Sequence, residues 1–399
     1  MSQHANQANL YPRRWFIVQA STWTLVSTLP LRASANATGR KYRAAIIGHT
    51  GAGNYGHGLD LIFAGRPNIE VVAVADADAD GRTQAAARTG AGRQYADFRE
   101  MLAKEKPDLV SVAPRWTNQH HAMALASLRA GAHLFIEKPF TRTLAEADEL
   151  LAVAAKSRLQ IAVAHQMRLA PSILYLKQQI DAGLIGNLLE IRAHGKQDHR
   201  AGGEDLLVLG VHLFDLMRFF AGDAQWCAAR VLEKGQVVTI SRARAATEDI
   251  GQVVGDEVSA QFAFANGINA TFTSRQANQQ SAGPWGMELI GSKGAARILA
   301  DICPRIFFRN NRDWRSFEWQ PVEGDPTAGW SDAERSVPRA NDRVMDDWLD
   351  AIKRNREPVC NGFAGMKALE MAHAVLAAGI SAQRVELPLR NRHHPLSPG

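Results

Sequence analysis

Short apolar runs recur at regular intervals between residues 43 and 164, and polar, helix-compatible stretches separate them. The runs are residues 43–47, 69–75, 108–114, 133–139 and 160–164. Residues 118–131, which end at a glycine, and residues 144–156, which are rich in alanine, have the apolar spacing of helices. Strands that alternate with helices in this way predict an α/β fold with a doubly wound parallel sheet. Ligands of such sheets bind at the carboxyl ends of the strands.

The second half of the chain has a different pattern, in which strands follow one another through short turns. It comprises a helix at 171–182, strands at 188–194, 260–265, 268–274, 287–298 and 305–319, and helices at 341–354 and 364–383. Asn266 and Gly267 predict a hairpin turn, and residues 321–342 predict a surface loop. We expect a first domain at residues 38–165 and an α+β domain at residues 166–390, with an open, mostly antiparallel sheet. The free face of that sheet predicts a homodimer or homotetramer.

A glycine-rich stretch follows the first strand. Five glycines fall within eleven residues beginning at Gly48, and apolar residues with helical spacing resume at Leu59. A strand, a glycine-rich turn and a helix bring backbone N–H groups and a helix N-terminus onto a phosphate, as in a Rossmann dinucleotide site. Two registers are open: Gly48-x-Thr50-x-x-Gly53, which begins where the strand stops and has Gly51 for flexibility, and Gly51-x-Gly53-x-x-Gly56. Such turns also occur as plain connections.

Asp76 ends the second strand, 28 residues after Gly48. An acidic residue at about this distance binds the adenosine ribose hydroxyls in dinucleotide folds, although a turn or a helix cap is the alternative. A carboxylate here favours NAD because it would repel the 2′-phosphate of NADP. Arg82 lies nearby and keeps NADP possible.

The first 37 residues have the layout of an export signal. Arg13 and Arg14 precede an apolar run that continues to Leu31, and small residues that suit cleavage follow near residues 35–37. The paired arginines are similar to those of a twin-arginine signal, which carries folded proteins. The run is short and interrupted by polar residues, so we expect a periplasmic or otherwise exported protein without a stable membrane anchor. A disordered extension is the alternative.

Composition excludes several classes of protein. With 46% hydrophobic and 22% charged residues, the chain is typical of a soluble globular protein. The net charge of +6 is mild and no basic stripe is interleaved with aromatic residues, so we expect no nucleic-acid partner. Cys227, Cys303 and Cys360 are far apart and odd in number, which predicts buried thiols and neither a disulfide framework nor a metal site.

Glu137, Lys138 and Pro139 end the fourth apolar run. In isolation this sequence is typical of a solvated turn, but here it lies at the ligand edge of the predicted sheet. A lysine beside a nicotinamide ring can polarise the substrate oxygen or exchange its hydroxyl proton, and desolvation would lower its pKa. The polar run at residues 196–200 either binds sugar hydroxyls or a carboxylate, or forms a solvated loop.

Taken in order, these features resemble the Gfo/Idh/MocA oxidoreductases (glucose–fructose oxidoreductase, inositol dehydrogenase and relatives) over residues 43–389. Glu137-Lys138-Pro139 is the most specific element, and residues 164–168 are similar to a segment that lines the family's cleft. The resemblance implies that Lys138 and His212 are the catalytic residues. It implies cofactor contacts for Gly48, Thr50, Gly51, Gly53, Asp76, Pro114, His120, Glu137, Lys138 and Gln166, and substrate contacts for Lys138, Arg168, Asp205 and His212.

One segment departs from the family pattern Asp-x-Gly-x-His-x-x-Asp. Gly210, His212 and Asp215 match it, but Val208 stands at the first aspartate and cannot orient a lysine or share a proton. His212 remains as a proton donor or hydroxyl ligand, with a structural helix histidine as the alternative. Asp205, or the glutamate before it, lies about one helical turn earlier and is a candidate replacement for the missing carboxylate.

The leading interpretation is an exported NAD(P)-dependent oxidoreductase that transfers hydride between nicotinamide and a sugar- or cyclitol-type polyol. Lys138 would be the acid/base, assisted by His212. Two alternatives stay open. One is a glycoside hydrolase that uses NAD for a transient oxidation, and the other is a catalytically silent NAD- or sugar-binding protein, which the replacement at Val208 would permit.

Overall fold

Both predicted sheets are present in the computed structural model, which describes residues 41–276, 285–310 and 318–397. The export signal predicted at residues 1–37 lies outside the described residues and stays a prediction. Part of the strand pair predicted at residues 305–319 also lies outside them.

The N-terminal sheet is parallel and covered by helices. Its strands are β1 (Tyr42–Ile47), β2 (Ile69–Ala75), β3 (Arg93–Tyr95), β4 (Leu109–Val112), β5 (His133–Ile136) and β6 (Ile161–Val163), in the order β3-β2-β1-β4-β5-β6. Its helices are α1 (Ala79–Thr89), α2 (Phe98–Glu105), α3 (His120–Arg129) and α4 (Leu144–Ser157). Every residue of β4 is buried, as expected for a strand covered on both faces. The predicted α/β fold is confirmed.

The chain between β1 and β2 forms a series of turns, so the helix predicted after the glycines is wrong. Gly51, Gly53, Gly56 and Gly58 have φ values between 59° and 84°, which a right-handed helix excludes. Leu59 is fully buried without belonging to a helix. A phosphate at this loop would therefore meet the N–H groups of turns and not a helix N-terminus.

The C-terminal sheet is open and mixed. It follows α5 (Pro171–Asp181) and contains β7 (Leu188–His194), β8 (Ala224–Glu233), β9 (Gln236–Val237), β12 (Glu257–Phe264), β13 (Asn269–Arg275), β14 (Gly286–Gly291), β15 (Gly294–Leu299), β16 (Arg305–Asn310), β17 (Gln320–Pro321) and β18 (Val385–Glu386). The strand order is β17-β16-β15-β14-β7-β13-β12-β8-β18, with β9 on β8. A separate ribbon pairs β10 (Arg244–Ala245) with β11 (Gln252–Val253). Among the described strands of this C-terminal sheet only β7 and β13 pair in parallel, so the mostly antiparallel sheet is confirmed. Asn266 has φ 60° in the predicted hairpin turn.

An irregular helix carries the segment that departs from the family pattern. Its parts are α6 (Gly203–Asp205), a π-helical segment (Leu206–Gly210) and α7 (Val211–Ala221). A π-helical turn holds more residues than an α-helical turn, so it changes which side chains share a face. Further along the chain, α8 (Val337–Arg354) begins before the predicted residue 341, with Pro338 in its first turn. The surface loop predicted at residues 321–342 is therefore shorter than expected.

The helix α9 (Gly362–Ser381) packs against both sheets. A Cβ on Gly365 would lie 2.9 Å from Val163 of β6, and one on Gly379 would lie 2.4 Å from Val231 of β8. By length and composition α9 could cross a membrane, but 78% of its most apolar window is buried inside the protein. These close contacts identify α9 as a core helix that joins the two domains.

Two buried histidines connect α9 to the C-terminal tail, and we expect them to make folding sensitive to acid. The rings of His373 and His394 lie 4.8 Å apart, and neither ring nitrogen of His373 has a partner in the described residues. Burial lowers the pKa of both rings, to about 4 for His394. An unfolded histidine has a pKa of about 6.5, so the unfolded chain takes up protons at a higher pH than the folded protein. The free energy of unfolding should therefore be at its full value above pH 6.5 and should fall as the pH decreases toward 4.

Urea unfolding of the wild type and of His394→Leu, at about pH 7.5 and about pH 5, measures this effect. The wild type should lose more stability between the two conditions than the variant, which cannot titrate at this position. His393→Leu, at the exposed neighbouring residue, is the matched control. Identical pH dependence in the wild type and His394→Leu would contradict the prediction.

Candidate active site

Four strand ends meet at one edge of the N-terminal sheet. Gly48 follows β1, Asp76 follows β2, Pro114 follows β4, and Lys138 follows β5. The strand order reverses between β1 and β4, where the Gly53 carbonyl accepts a hydrogen bond of 3.2 Å from the backbone N–H of Arg115. Open α/β sheets bind their ligands at such a switch point. The structure therefore brings the predicted cofactor residues to one crevice.

Asp76 closes the glycine-rich loop. Its carboxylate accepts hydrogen bonds from the Thr50 N–H (3.0 Å), the Thr50 hydroxyl (2.8 Å) and the Asp78 N–H (3.0 Å). The Thr50 hydroxyl donates to Asp76 in this structure, and its contact with a pyrophosphate stays a prediction. Asp76 is only 2% exposed, and its contact with a ribose stays a prediction.

The loop retains groups that suit an anion. The backbone N–H groups of Gly53 and Tyr55 donate to no acceptor in the described residues. Gly51 has φ 84°, and no heavy atom lies within 4 Å of where a Cβ would stand. Free N–H groups on glycine-rich turns bind phosphates, so the loop fits a dinucleotide. Gly48 differs from these glycines. A Cβ at this position would lie 2.2 Å from the Tyr55 ring, so the missing side chain makes room for that ring.

Gly53→Ala should weaken NAD binding at least about tenfold. Gly53 has φ 84°, and a Cβ would lie 2.5 Å from the backbone nitrogen of Arg115, so the loop must move. Titration of the protein with NAD measures the dissociation constant. Gly65→Ala is the control, since Gly65 has φ 71° but no atom within 4 Å of a Cβ. An unchanged dissociation constant in Gly53→Ala would contradict this role.

Glu137 is fully buried between the loop and Lys138. Its carboxylate accepts hydrogen bonds from the backbone N–H of His57 (3.2 Å) and of Lys138 (2.7 Å), and it pairs with the His57 ring. Burial alone would raise the pKa of Glu137, but His57 and Lys138 lower it to about 2. Sequence reasoning missed His57. The signal was present, since a buried carboxylate needs a partner and His57 lies within the glycine-rich loop.

Lys138 points from the end of β5 toward the C-terminal domain. Its Nζ donates a hydrogen bond of 3.0 Å to the backbone carbonyl of Val208 in the π-helical segment. The position that lost the family aspartate therefore still contacts the lysine, through its main chain. Burial lowers the pKa of Lys138, and the charges of Glu137 and Glu248 offset part of this effect. Lys138 therefore loses its proton more readily than an exposed lysine does.

His212 lies on α7 beside His165, with ring centroids 5.5 Å apart. Burial and the positive charge of Lys138 hold the pKa of His212 well below its usual value. Its Nδ1 is buried and has no hydrogen-bond partner among the described residues. His212 is therefore a neutral imidazole, which can donate one hydrogen bond and accept another.

Arg168 is paired with Asp215 in this structure. Its guanidinium forms a bidentate ion pair with Asp215, with Nε–Oδ2 at 2.8 Å and Nη2–Oδ1 at 2.6 Å. Burial alone would raise the pKa of Asp215, but Arg168 and then His165 hold it below its usual value. Nε and Nη2 of Arg168 are thus both bonded to Asp215, and the substrate contact predicted for Arg168 stays a prediction.

Gln166 and His120 support the crevice from behind. The Gln166 side chain donates to Asn341 (2.8 Å), whose amide donates to the His57 carbonyl (3.0 Å) in the glycine-rich loop. His120 is fully buried, with Nε2 2.7 Å from the Pro114 carbonyl and Nδ1 3.0 Å from the Pro139 carbonyl. Burial lowers the pKa of His120. The cofactor contacts predicted for these two side chains stay predictions.

Asp205 is bonded to the C-terminal sheet. It is fully buried and accepts a hydrogen bond of 2.6 Å from Ser274 of β13, and burial raises its pKa to about 6. The preceding Glu204 accepts a hydrogen bond of 3.0 Å from the Thr247 N–H. The π-helical segment separates Asp205 from His212 along the chain, and the substrate contact predicted for Asp205 stays a prediction.

A parallel sheet with an anion-binding loop at its switch point, joined to a domain with an open mixed sheet, defines a two-domain dinucleotide-binding protein. The family model for the oxidoreductase family with an NAD-binding Rossmann fold matches residues 42–165. The model for the GFO/IDH/MocA C-terminal domain matches residues 173–297. The chain belongs to the Gfo/Idh/MocA oxidoreductase family, and its first domain is an NAD-binding Rossmann domain.

Known proteins are similar to this chain over lengths that range from about a third to most of it. A D-apiose dehydrogenase from Paraburkholderia graminis is 23% identical over 366 residues, which cover 89% of this chain and 92% of the relative. A glycosyl hydrolase family 109 protein from Saccharopolyspora erythraea is 30% identical over 152 residues, which cover 36% of this chain and 33% of that one. A levoglucosan dehydrogenase solved in complex with NADH superposes with a TM-score of 0.72 at 19% identity, covering 88% of this chain and all of that one.

Proposed function

We propose that the protein is an NAD-dependent dehydrogenase that oxidises a secondary hydroxyl group of a sugar or cyclitol. The observation that carries this proposal is the position of Lys138, whose Nζ lies at the ligand edge of the Rossmann sheet against the Val208 carbonyl. The dehydrogenases among its relatives, named for D-apiose and levoglucosan, support a carbohydrate substrate. NAD is preferred to NADP because Asp76 is acidic.

The residues divide the chemistry between them. Bound NAD supplies the hydride acceptor, and the free N–H groups of Gly53 and Tyr55 are the groups that would hold its pyrophosphate. Lys138, with its pKa lowered by burial, takes the hydroxyl proton as the substrate carbon is oxidised. His212 is neutral and positions the same hydroxyl through a hydrogen bond. The Val208 carbonyl orients the lysine through its hydrogen bond, because this chain lacks the aspartate side chain that the family has at this position.

The test is a panel of polyols, aldoses and aryl glycosides incubated with the purified protein and NAD. Net formation of NADH with a polyol or aldose, in stoichiometric amount with its oxidised product, supports the dehydrogenase. The absence of any nicotinamide binding would overturn it. Mass spectrometry of the native protein shows whether NAD copurifies.

A second candidate is a glycoside hydrolase that oxidises its substrate transiently. The similarity to a glycosyl hydrolase family 109 protein over 152 residues supports this second candidate. In the same panel, release of the aglycone without net NADH formation distinguishes this activity. A protein that binds NAD but does neither reaction would instead be a silent NAD- or sugar-binding member of the family.

We also propose that the protein is exported through the signal at residues 1–37 and assembles through its C-terminal sheet. The arginine pair and the small residues near 35–37 support export, and the open sheet supports a dimer or tetramer. N-terminal sequencing of the periplasmic protein and light scattering of the mature form test the two proposals.

A further inference from the structure

A pocket lies between the loop that precedes β2 and the first turns of α8. Its polar lining comes from Arg66 of the loop and from Arg339, Asp342, Arg343 and Asp346 of the helix. The four helix positions are three and four residues apart, so they share one face of α8. The pocket volume is about 490 Å³, within the range of about 300–1,000 Å³ that is typical of ligand pockets. The pocket therefore has room for a small molecule.

This pocket is separate from the crevice at the strand ends. Arg66 precedes β2, and two residues later the Asn68 carbonyl accepts a hydrogen bond of 2.9 Å from the N–H of Tyr42, the first residue of β1. Arg66 is therefore close to the amino ends of these two strands. The crevice is formed by residues that follow the strands, at their carboxyl ends. A ligand of the pocket is therefore distinct from a pyrophosphate at the glycine-rich loop.

Three arginines and two aspartates line the pocket. Nη1 of Arg66 lies 2.5 Å from Oδ1 of Asp346, and its Nη2 lies 3.4 Å from Oδ1 of Asp342. Nη1 of Arg339 lies 3.8 Å from Oδ2 of Asp342, too far for a hydrogen bond. Both carboxylates are thus paired with Arg66 or Arg339, and the charge of Arg343 is left over.

Arg343 is half-buried and forms no hydrogen bond or ion pair with any residue that the structure describes. Its Nε and Nη2 are buried without a partner. The guanidinium carbon lies 6.0 Å from the centre of the Trp330 ring, a contact that stabilises a cation but supplies no negative charge. Burial lowers the pKa of Arg343, although a guanidinium stays protonated in proteins. A charge held in this way favours the binding of an anion.

We propose that this pocket binds a phosphate group, either free or carried by a small molecule, and that Arg343 supplies the charge that holds it. The planar fork of a guanidinium matches the oxygens of a phosphate. A phosphate dianion suits the pocket better than a single carboxylate does, because two arginines can share its charge. Arg339 is 70% exposed and only loosely paired with Asp342, so it can turn toward the ligand.

Titration of inorganic phosphate into the NAD-saturated protein, followed by calorimetry, tests the proposal. NAD fills the glycine-rich loop, so the heat reports the pocket. Arg343→Gln should raise the dissociation constant for phosphate at least about tenfold, because a charged hydrogen-bond donor is lost. Arg343→Lys keeps the charge without the fork and should be intermediate. Arg354→Gln is the matched control, since this residue of α8 lies outside the pocket and is 71% exposed.

The same titration with glycerol phosphate distinguishes the two sources of the phosphate group. Tighter binding of glycerol phosphate than of inorganic phosphate assigns the pocket to a phosphate ester, because the pocket extends beyond the phosphate itself. Equal affinity for the two probes assigns it to free phosphate. Either result supports the proposed site, provided that Arg343→Gln weakens the binding.

Urea unfolding provides a second readout that does not depend on activity. Phosphate should raise the urea midpoint of the wild type but not that of Arg343→Gln. Without phosphate the variant should be at least as stable as the wild type, because the change removes a half-buried charge that has no counter-ion. Absence of phosphate binding by the wild type at up to about 10 mM would overturn the inference. Equal dissociation constants in the wild type and Arg343→Gln would also overturn it.

Discussion

Lys138→Met should reduce kcat about 10²- to 10⁴-fold, the range expected when a general acid or base is removed. Methionine fills a similar volume but cannot exchange a proton, and Lys138 is only 7% exposed. The loss should not come from unfolding, because the hydrogen bond that disappears is a single one to the Val208 carbonyl. Steady-state kinetics with the substrate found in the polyol panel measures the effect, and NAD titration separates lost chemistry from lost cofactor.

Two further variants sharpen this experiment. Lys138→Arg keeps the charge but cannot release a proton near neutral pH, so it should be as inactive as the methionine variant. Lys104→Met makes the same change on the exposed surface of α2, where the side chain is 62% exposed, and should keep wild-type rates. A kcat within about threefold of wild type in Lys138→Met would show that another group carries the proton.

The strands of the first domain could be predicted because a parallel sheet is buried on both faces. Such strands are continuous apolar runs, as residues Ile69–Ala75 show. The edge strand β3 (Arg93–Tyr95) was missed because it is short and polar, so that neither its length nor its pattern distinguishes it from a loop. The helix predicted after Gly48 failed for a different reason. Apolar spacing favoured a helix, but glycines with positive φ values required turns.

In the active site, sequence reasoning placed Lys138 and Glu137 at the correct edge because their position after β5 follows from topology alone. It could not predict which side chains pair with each other across the fold. Asp205 lies only three residues before the position of the missing aspartate. The π-helical segment that follows it changes which side chains share a face of the helix. The same segment presents the Val208 carbonyl to the lysine, a main-chain contact that no residue type reveals.

Asp215→Asn should destabilise the protein by about 3–5 kcal/mol, the cost of leaving a buried charge without its partner. The Asp215 side chain is 2% exposed and that of Arg168 is 11% exposed, so solvent cannot replace the lost carboxylate. An asparagine keeps the size but offers one acceptor oxygen to a guanidinium that now uses both carboxylate oxygens and the Asp215 carbonyl. Urea unfolding at about pH 7.5 measures the difference.

The control is an ion pair at the other end of the same helix. Asp223→Asn removes the partner of Arg218, but Asp223 is 49% exposed, so this change should cost less than about 1 kcal/mol. If Asp215→Asn costs no more than Asp223→Asn, the buried pair is not required for folding and Arg168 can leave it. Arg168 would then be free to reach a substrate, and the contact implied by the family resemblance would regain its support. A large difference between the two variants instead fixes Arg168 as the counter-charge of Asp215, and leaves Lys138 and His212 as the polar groups that meet the hydroxyl.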